Sequence, residues 1–285
     1  MIQAGITGLS AGGAYAALGV CVVLLYRMVA VVNFSLAAAA ADGWFVLLVL
    51  HQHGMAYGPA ALIGVATGAA VSAIVGTIMA LWFAEADVRT KSTIGIAAFI
   101  AINTISFRVF GDNARPIPTQ LTGRAFELGG VYVTGSTVAA IVGSVVLAIA
   151  VSAVLAKTRI GSELRALSER PRTAELMGMS VRLRTISVWA VVGAIATIAM
   201  LAIGPQQSSS FSAMSLLVVP AFAAALVGLF RNFYATVIGG IAIGVIQGMA
   251  SESSTFAQYQ DVVPFVIIVV AILWAQRGEV WDVAR

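Results

Sequence analysis

Long apolar runs separated by short polar breaks occupy almost the whole chain. A hydrocarbon layer about 30 Å thick needs roughly 20 apolar helical residues to cross it. Runs of that kind fall at 5–26, 33–50, 59–83, 94–108, 135–156, 184–204, 214–230, 234–250 and 261–276. The pattern predicts an all-α, polytopic transmembrane helical bundle of about eight or nine membrane segments, forming a single domain over residues 1–285. The second, fourth, seventh and eighth runs are short. Broken, tilted or re-entrant helices are expected among them, where protein or a water-filled path covers the backbone. One segment departs from the pattern. Residues 157–184 read KTRIGSELRALSERPRTAELMGMSVRLR, with seven Lys/Arg and three Glu. Two short helical patterns run through it, with Pro171 opening the second, over Arg172 to Met177, and Gly178 closing it.

Composition changes the picture only by excluding classes. With 60% hydrophobic and 10% charged residues and a mean hydropathy of +0.98, the chain has too little polar surface for a water-soluble domain and is solvated by membrane lipid. Charge then orients the bundle. If residues 157–184 are cytoplasmic, alternation puts Arg27, Arg89, Lys91, Arg231, Arg277 and Arg285 on the same side, 13 basic residues in all. Only Arg108, Arg115 and Arg124 fall outside. This asymmetry predicts an outside N-terminus and a cytoplasmic C-terminus. It also accounts for the net charge of +4 without nucleic acid as a partner. Tyr26, Tyr57, Trp82, Tyr234, Tyr259 and Trp274 fall near run ends, where interfacial aromatics belong. The opening MIQAGITGLSAGG has no basic region or small-residue cleavage site, so the first run is expected to remain as a span. Cys21 is the sole cysteine, which excludes an intrachain disulfide and a thiolate metal cluster.

Small residues recur at four-residue spacing at Gly8 and Gly12, at Gly64 and Gly68, and at Gly240, Gly244 and Gly248. Each set places a flat strip on one helix face, for contact within the subunit or with a second one. Polar residues inside spans are functional candidates by default. Asp42 is the one acid well inside a run, in NFSLAAAAADGWFVLL, which Asn33 opens. Two compatible readings stand: Asp42 lines a path through a discontinuous helix, or it caps a second helical piece starting near Gly43. Asn103 is a third path candidate, or an interhelical hydrogen-bonding group. His51 and His53 are two residues apart and do not share a helix face, and no further ligands lie nearby for a metal site. No Gly-x-x-x-x-Gly-Lys-Ser/Thr phosphate loop occurs, so ATP hydrolysis by that route is not expected of this chain.

Several stretches carry a resemblance. GLSAGGAYAALGVCVVLLYRMVAVVNFSLA (Gly8 to Ala37), RALSERPRTAELMGMSVRLRTISVWAVVGAIATIAM (Arg165 to Met200), PAFAAALVGLFRN and TVIGGIAIGVIQG together resemble permease subunits of branched-chain amino acid type ATP-binding-cassette importers. The chain departs from that pattern at Ala38, where the family often has an acid, and at Leu229-Phe230-Arg231-Asn232, where it usually has Gly-Gly. The resemblance implies a non-enzymatic, multi-pass subunit of a bacterial plasma (inner) membrane that binds no cofactor. ATP would be used by ABC ATP-binding partner subunits. A second permease subunit, copy or paralogue, and an extracytoplasmic substrate-binding protein would complete the importer. The cargo implied is a branched-chain or other amino acid, an amide or urea. The 157–184 segment becomes a candidate coupling loop through Glu169, Pro171, Ala174, Glu175 and Gly178, against the plainer reading of a solvated positive-inside loop. An ion-coupled secondary transporter is the alternative, with Asp42 as its one intramembrane charge.

Overall fold

The computed structural model describes residues 2–29, 31–111, 125–128, 131–169, 171–204, 210–252 and 256–276. In chain order these form α1 (Ile2–Val29), α2 (Ser35–Gln52), α3 (Tyr57–Trp82), α4 (Val88–Phe110), strands β1 (Ala125–Leu128) and β2 (Val131–Thr134), and α5 (Gly135–Lys157). There follow α6 (Arg159–Glu169), α7 (Pro171–Leu176), α8 (Val181–Ile203), α9 (Phe211–Ser215), α10 (Val218–Val227), α11 (Phe233–Glu252), a 3-10 turn (Ala257–Val262) and α12 (Val263–Gln276). Eight of these stretches are long and apolar enough to cross a membrane: α1 to α5, α8, α11, and the 3-10 turn with α12. The polytopic helical bundle expected from the pattern is what the chain forms. The helical pattern did not foresee the two-stranded antiparallel hairpin between α4 and α5, in which Leu128 pairs with Val131.

Backbone approach, rather than bulky interdigitation, organises the interior. Helix α1 lies along α11, and the two glycine strips face each other there. A β-carbon on Gly248 would lie 2.8 Å from the Gly8 Cα, one on Gly12 2.8 Å from the Ile241 Cα, and one on Gly240 2.5 Å from the Ala16 amide nitrogen. In lipid, where apolar burial gives no net drive between helices, such close van der Waals contact is what holds a pair together. A second seam joins α2, α3 and α8. There Gly43 and Gly64 abut so closely that a β-carbon on either would sit 2.5 Å from the other's carbonyl oxygen. Gly76 makes room for the fully buried Trp189 ring. The Ser72 hydroxyl donates to the Trp189 carbonyl across the same seam at 2.8 Å. All three strips therefore serve contacts inside the subunit.

Among the short runs expected to be irregular, only the seventh is broken. It splits into α9 and α10 around Leu216 and Leu217. Pro220 lies in the first turn of α10, where its missing N–H costs least, and it would have removed a backbone bond from one continuous helix. The second run is the opposite case: α2 is a single uninterrupted helix in which Asp42 is mid-helix. Its role as a cap is thereby corrected. The alanine run at 37–41 favours continuous helix, and Gly43 is a packing position rather than a break.

The loop ends gather at one face. The Arg27 guanidinium donates to the Arg231 carbonyl at 3.4 Å and lies 5.2 Å from the Phe233 ring centre, tying α1 to the α10–α11 turn. Val29, Ala84, Lys91, Ser168 and Arg182 line one cavity at the same face. The described basic connections thus share an end of the bundle. Arg277 and Arg285 lie outside the described residues.

Candidate functional site

Helices α2, α4 and α9 meet in a buried polar layer. The Ser106 hydroxyl on α4 donates to Asp42 Oδ1 on α2 at 2.5 Å, and both side chains are buried. One turn earlier on α4, Asn103 donates through Nδ2 to the Phe99 carbonyl at 2.9 Å and accepts at Oδ1 from the Ser215 hydroxyl on α9 at 2.7 Å. Asn103 is thus an interhelical hydrogen-bonding group. An aromatic cluster lies one turn further along the same helices. The Phe45 ring is 5.7 Å from Phe110 and 5.3 Å from Phe211, and Phe110 stacks on Phe211 at 6.2 Å. Three rings therefore cover one side of the layer, at separations that are favourable for aromatic pairs.

Asn33 belongs to a different place. Its Oδ1 accepts the Ser35 amide N–H at 2.9 Å and the Ser35 hydroxyl at 2.7 Å, which starts α2. Its Nδ2 is buried with no hydrogen-bond partner among the described residues. At 1.5 Å per residue it lies about 13 Å along α2 from Asp42. Asp42 and Asn103 thus come together, and Asn33 stays at the basic end. Sequence reasoning missed Ser106, Ser215 and the three phenylalanines. The signal for Ser106 was its three-residue spacing from Asn103, which puts both on one helix face. His51 and His53 are occupied locally, Nδ1 of each bonding to a backbone carbonyl, of Met55 at 2.9 Å and of Val49 at 2.7 Å.

The described residues of the 157–184 segment form two short helices, α6 and α7. The Thr158 hydroxyl accepts the Gly161 N–H at 3.1 Å and caps α6. Glu163 pairs with Arg184 at 2.7 Å, tying α6 to the start of α8. Glu169 ends α6, and Pro171 opens α7 at the position proline tolerates best. The end of α7 is a paired closure: the Met179 amide reaches the Ala174 carbonyl at 3.1 Å and the Gly178 amide the Glu175 carbonyl at 2.9 Å. Gly178 has φ +83°, the left-handed conformation this closure requires. Ala174 is 1% exposed and faces the chain's own bundle, whereas Leu176 is 89% and Met177 67% exposed. The outward face of α7 is therefore Leu176 and Met177, whereas Ala174 is turned inward and Glu175 lines the cavity beside the bundle.

The α10–α11 turn closes in the same way, with a different residue in the critical position. The Phe230 amide reaches the Ala225 carbonyl at 2.9 Å and the Leu229 amide the Leu226 carbonyl at 2.7 Å. Leu229 and Phe230 have φ of +50° and +52°, a conformation unfavourable for side-chain-bearing residues. Packing holds the turn: Phe230 lies 4.8 Å from Tyr26 and 6.2 Å from Phe222, which stacks on Phe34 at 4.5 Å.

Eight helical stretches long and apolar enough to cross a membrane, around a buried polar layer, make the chain a polytopic membrane protein. The chain belongs to the family described as branched-chain amino acid transport system / permease component, whose model matches residues 5–272. It is 28% identical over 275 residues to the probable branched-chain amino acid transport permease protein LivH of Methanocaldococcus jannaschii, a match covering 90% of this chain and 84% of that protein. It is 22% identical over 298 residues to the high-affinity branched-chain amino acid transport system permease protein BraD of Pseudomonas aeruginosa, over 97% of this chain and 94% of that one. Among solved structures it resembles PsaBC from Streptococcus pneumoniae in complex with Fab, with a TM-score of 0.50 at 12% identity, over 97% of this chain and 90% of that chain. That likeness concerns the fold alone.

Proposed function

We propose that this permease carries branched-chain amino acids into the cell as the membrane-spanning part of an ATP-driven importer. It works with a second permease subunit, ATP-binding subunits on the cytoplasmic side and an extracytoplasmic substrate-binding protein. The N-terminus lies outside, the C-terminus is cytoplasmic, and the membrane is the bacterial plasma membrane. The observation that carries this reading is the family match over residues 5–272. The names of LivH and BraD support the cargo.

In this reading α7 is the coupling element. Its capped end fixes the turn, and Leu176 and Met177 supply an apolar face to seat in an ATP-binding subunit. The Asp42, Ser106, Asn103 and Ser215 layer is the candidate path lining: a buried carboxylate is costly in a membrane and is retained where it meets a polar solute. The three phenylalanines close the layer on one side until the helices shift.

The test is purification of the tagged chain from native membranes, followed by leucine uptake into vesicles. Co-eluting ATP-binding subunits and accumulation that needs both internal ATP and the external binding protein are expected. Accumulation driven by an ion gradient, with no ATP-binding subunit present, would replace this reading by a secondary transporter.

A further inference from the structure

The polar layer holds a carboxylate that its neighbours leave short of donors. An ionised carboxylate offers about four acceptor sites. Among the described residues, the side chain of Asp42 is met by a single hydroxyl, that of Ser106, and by no Lys, Arg or His. Arg108 follows Ser106 by two residues, which turns it about 200° away around α4, and it is exposed. The three helices of the layer repeat one arrangement. Phe45 lies three residues beyond Asp42 on α2, Phe110 four beyond Ser106 on α4, and Phe211 four before Ser215 on α9. On each helix a ring therefore shares a face with the polar group, one turn away. The three ring centres are 5.3 to 6.2 Å apart. A buried negative charge short of donors, next to aromatic rings, matches an organic ammonium, which brings three N–H donors and is attracted to ring faces. It is a poor match to a hard metal ion, which needs a shell of roughly six or more oxygen ligands, and it repels a free carboxylate.

We propose that Asp42 binds the α-ammonium group of the transported amino acid, so that the permease itself selects amines over amides and urea. The Ser106 hydroxyl fixes the direction of the carboxylate through Oδ1, and Oδ2 takes the ammonium. The apolar side chain of the amino acid lies against Phe45, Phe110 and Phe211. No cation among the described residues stands beside Asp42 to meet the carboxylate of the amino acid. The hold at this layer is therefore one charge-assisted contact, loose enough for passage. The inference rests on the reading of the layer as the substrate path and narrows it, from a polar solute to one that carries a positive charge.

The experiment is saturation-transfer NMR on the purified permease complex without the soluble binding protein, whose own selectivity then plays no part. The ligands share one branched tail: L-leucine, isoamylamine with the ammonium alone, isocaproate with the carboxylate alone, and isocaproamide with neither charge. Wild type should bind leucine and isoamylamine, and neither isocaproate nor isocaproamide. Asp42→Asn keeps an acceptor for Ser106 and removes the charge. It should weaken both bound ligands about tenfold or more, the loss of one charge-assisted contact, with the yield of monodisperse complex unchanged. Isocaproamide binding to wild type as tightly as isoamylamine would overturn the proposal, as would the absence of binding by either amine. Equal affinities in wild type and Asp42→Asn would overturn it too, leaving Asp42 as a hydrogen-bonding group only. Displacement of isoamylamine by sodium ions as readily as by leucine would assign Asp42 to an inorganic cation instead. The ligand series on wild type decides the matter even if Asp42→Asn fails to fold. Because binding is read without transport, failure of the importer reading shows separately, as absent ATP-dependent uptake.

Discussion

Helix α1 and helix α4 are built in opposite ways. Helix α1 has 78% of its apolar window buried, and it is pressed onto α11 along a strip of glycines with no side chain between the backbones. Helix α4 has 11% of its window buried, and it is fastened to the rest by discrete groups, the Ser106–Asp42 and Asn103–Ser215 hydrogen bonds and the Phe110 ring. A seam of main-chain contacts has one good arrangement, since any slide brings Cα atoms into collision. Hydrogen bonds and ring contacts hold a helix at points rather than along a continuous seam. The difference makes α1 and α11 the frame and leaves α4 held to it by a few side-chain contacts.

Breaking the frame should have the largest effect. Gly244→Leu forces a side chain into the Gly8–Gly12 backbone, so folded protein should be lost from membranes, measured by the yield of monodisperse chain in detergent. Gly143→Leu on α5, where a β-carbon meets nothing within 4 Å, should leave the yield of the isolated chain unchanged. Equal yields for both would remove the frame from the comparison.

Next come changes on α7. Leu176→Asp alters only an exposed face and should leave the chain folded while abolishing co-purification with the ATP-binding subunits. Ala174→Glu acts differently, because that side chain is buried in the chain itself. It should loosen the α6–α7 element, read as faster proteolysis near Gly178 in the isolated chain. If both variants behave alike, α7 has no distinct outer and inner faces.

Changes in the polar layer should be graded. Asp42→Ala and Ser106→Ala should reduce leucine uptake while the complex still assembles. Asp42→Asn keeps the hydrogen bond from Ser106 and loses the charge, so it separates the two contributions. Full uptake with Asn and reduced uptake with Ala would show that the bond matters and the charge does not. Normal uptake in all three would remove the layer from the path.

The smallest effect belongs to the α10–α11 turn. Leucine at a left-handed position costs roughly 1–2 kcal/mol, and glycine there relieves that cost while adding about 0.5–1 kcal/mol of its own entropy. Leu229→Gly should therefore raise the melting temperature slightly or leave it unchanged, since Leu229 is half exposed. Phe230→Gly should lower it, because the ring between Tyr26 and Phe222 is lost.

The bundle and the ends of α7 were legible because they rest on local signals: apolar run length, a proline in first position and a glycine at the end. Gly178 is the clearest instance, since sequence and φ agree on why a glycine is there. The role of Gly43 was not legible. A glycine after an acid reads as a helix start, and only the neighbouring Gly64 backbone shows that it is a point of helix contact. Nor were the partners of Asp42 and Asn103 legible, because Ser106 lies 64 residues and Ser215 lies 112 residues away along the chain. The inward orientation of Ala174 was hidden for the same reason: a six-residue helix has too few turns to declare a face.

The central claim is that this permease is driven by ATP hydrolysed in a partner and transmitted through α7. The most direct measurement is ATP hydrolysis by the vesicle-reconstituted complex on adding leucine-loaded binding protein, for wild type and Gly178→Val. A β-branched residue cannot adopt φ +83° without strain, so the end of α7 must rearrange. The account predicts stimulated hydrolysis and uptake in wild type, and neither in an assembled Gly178→Val complex. Stimulation of equal size in both would contradict it.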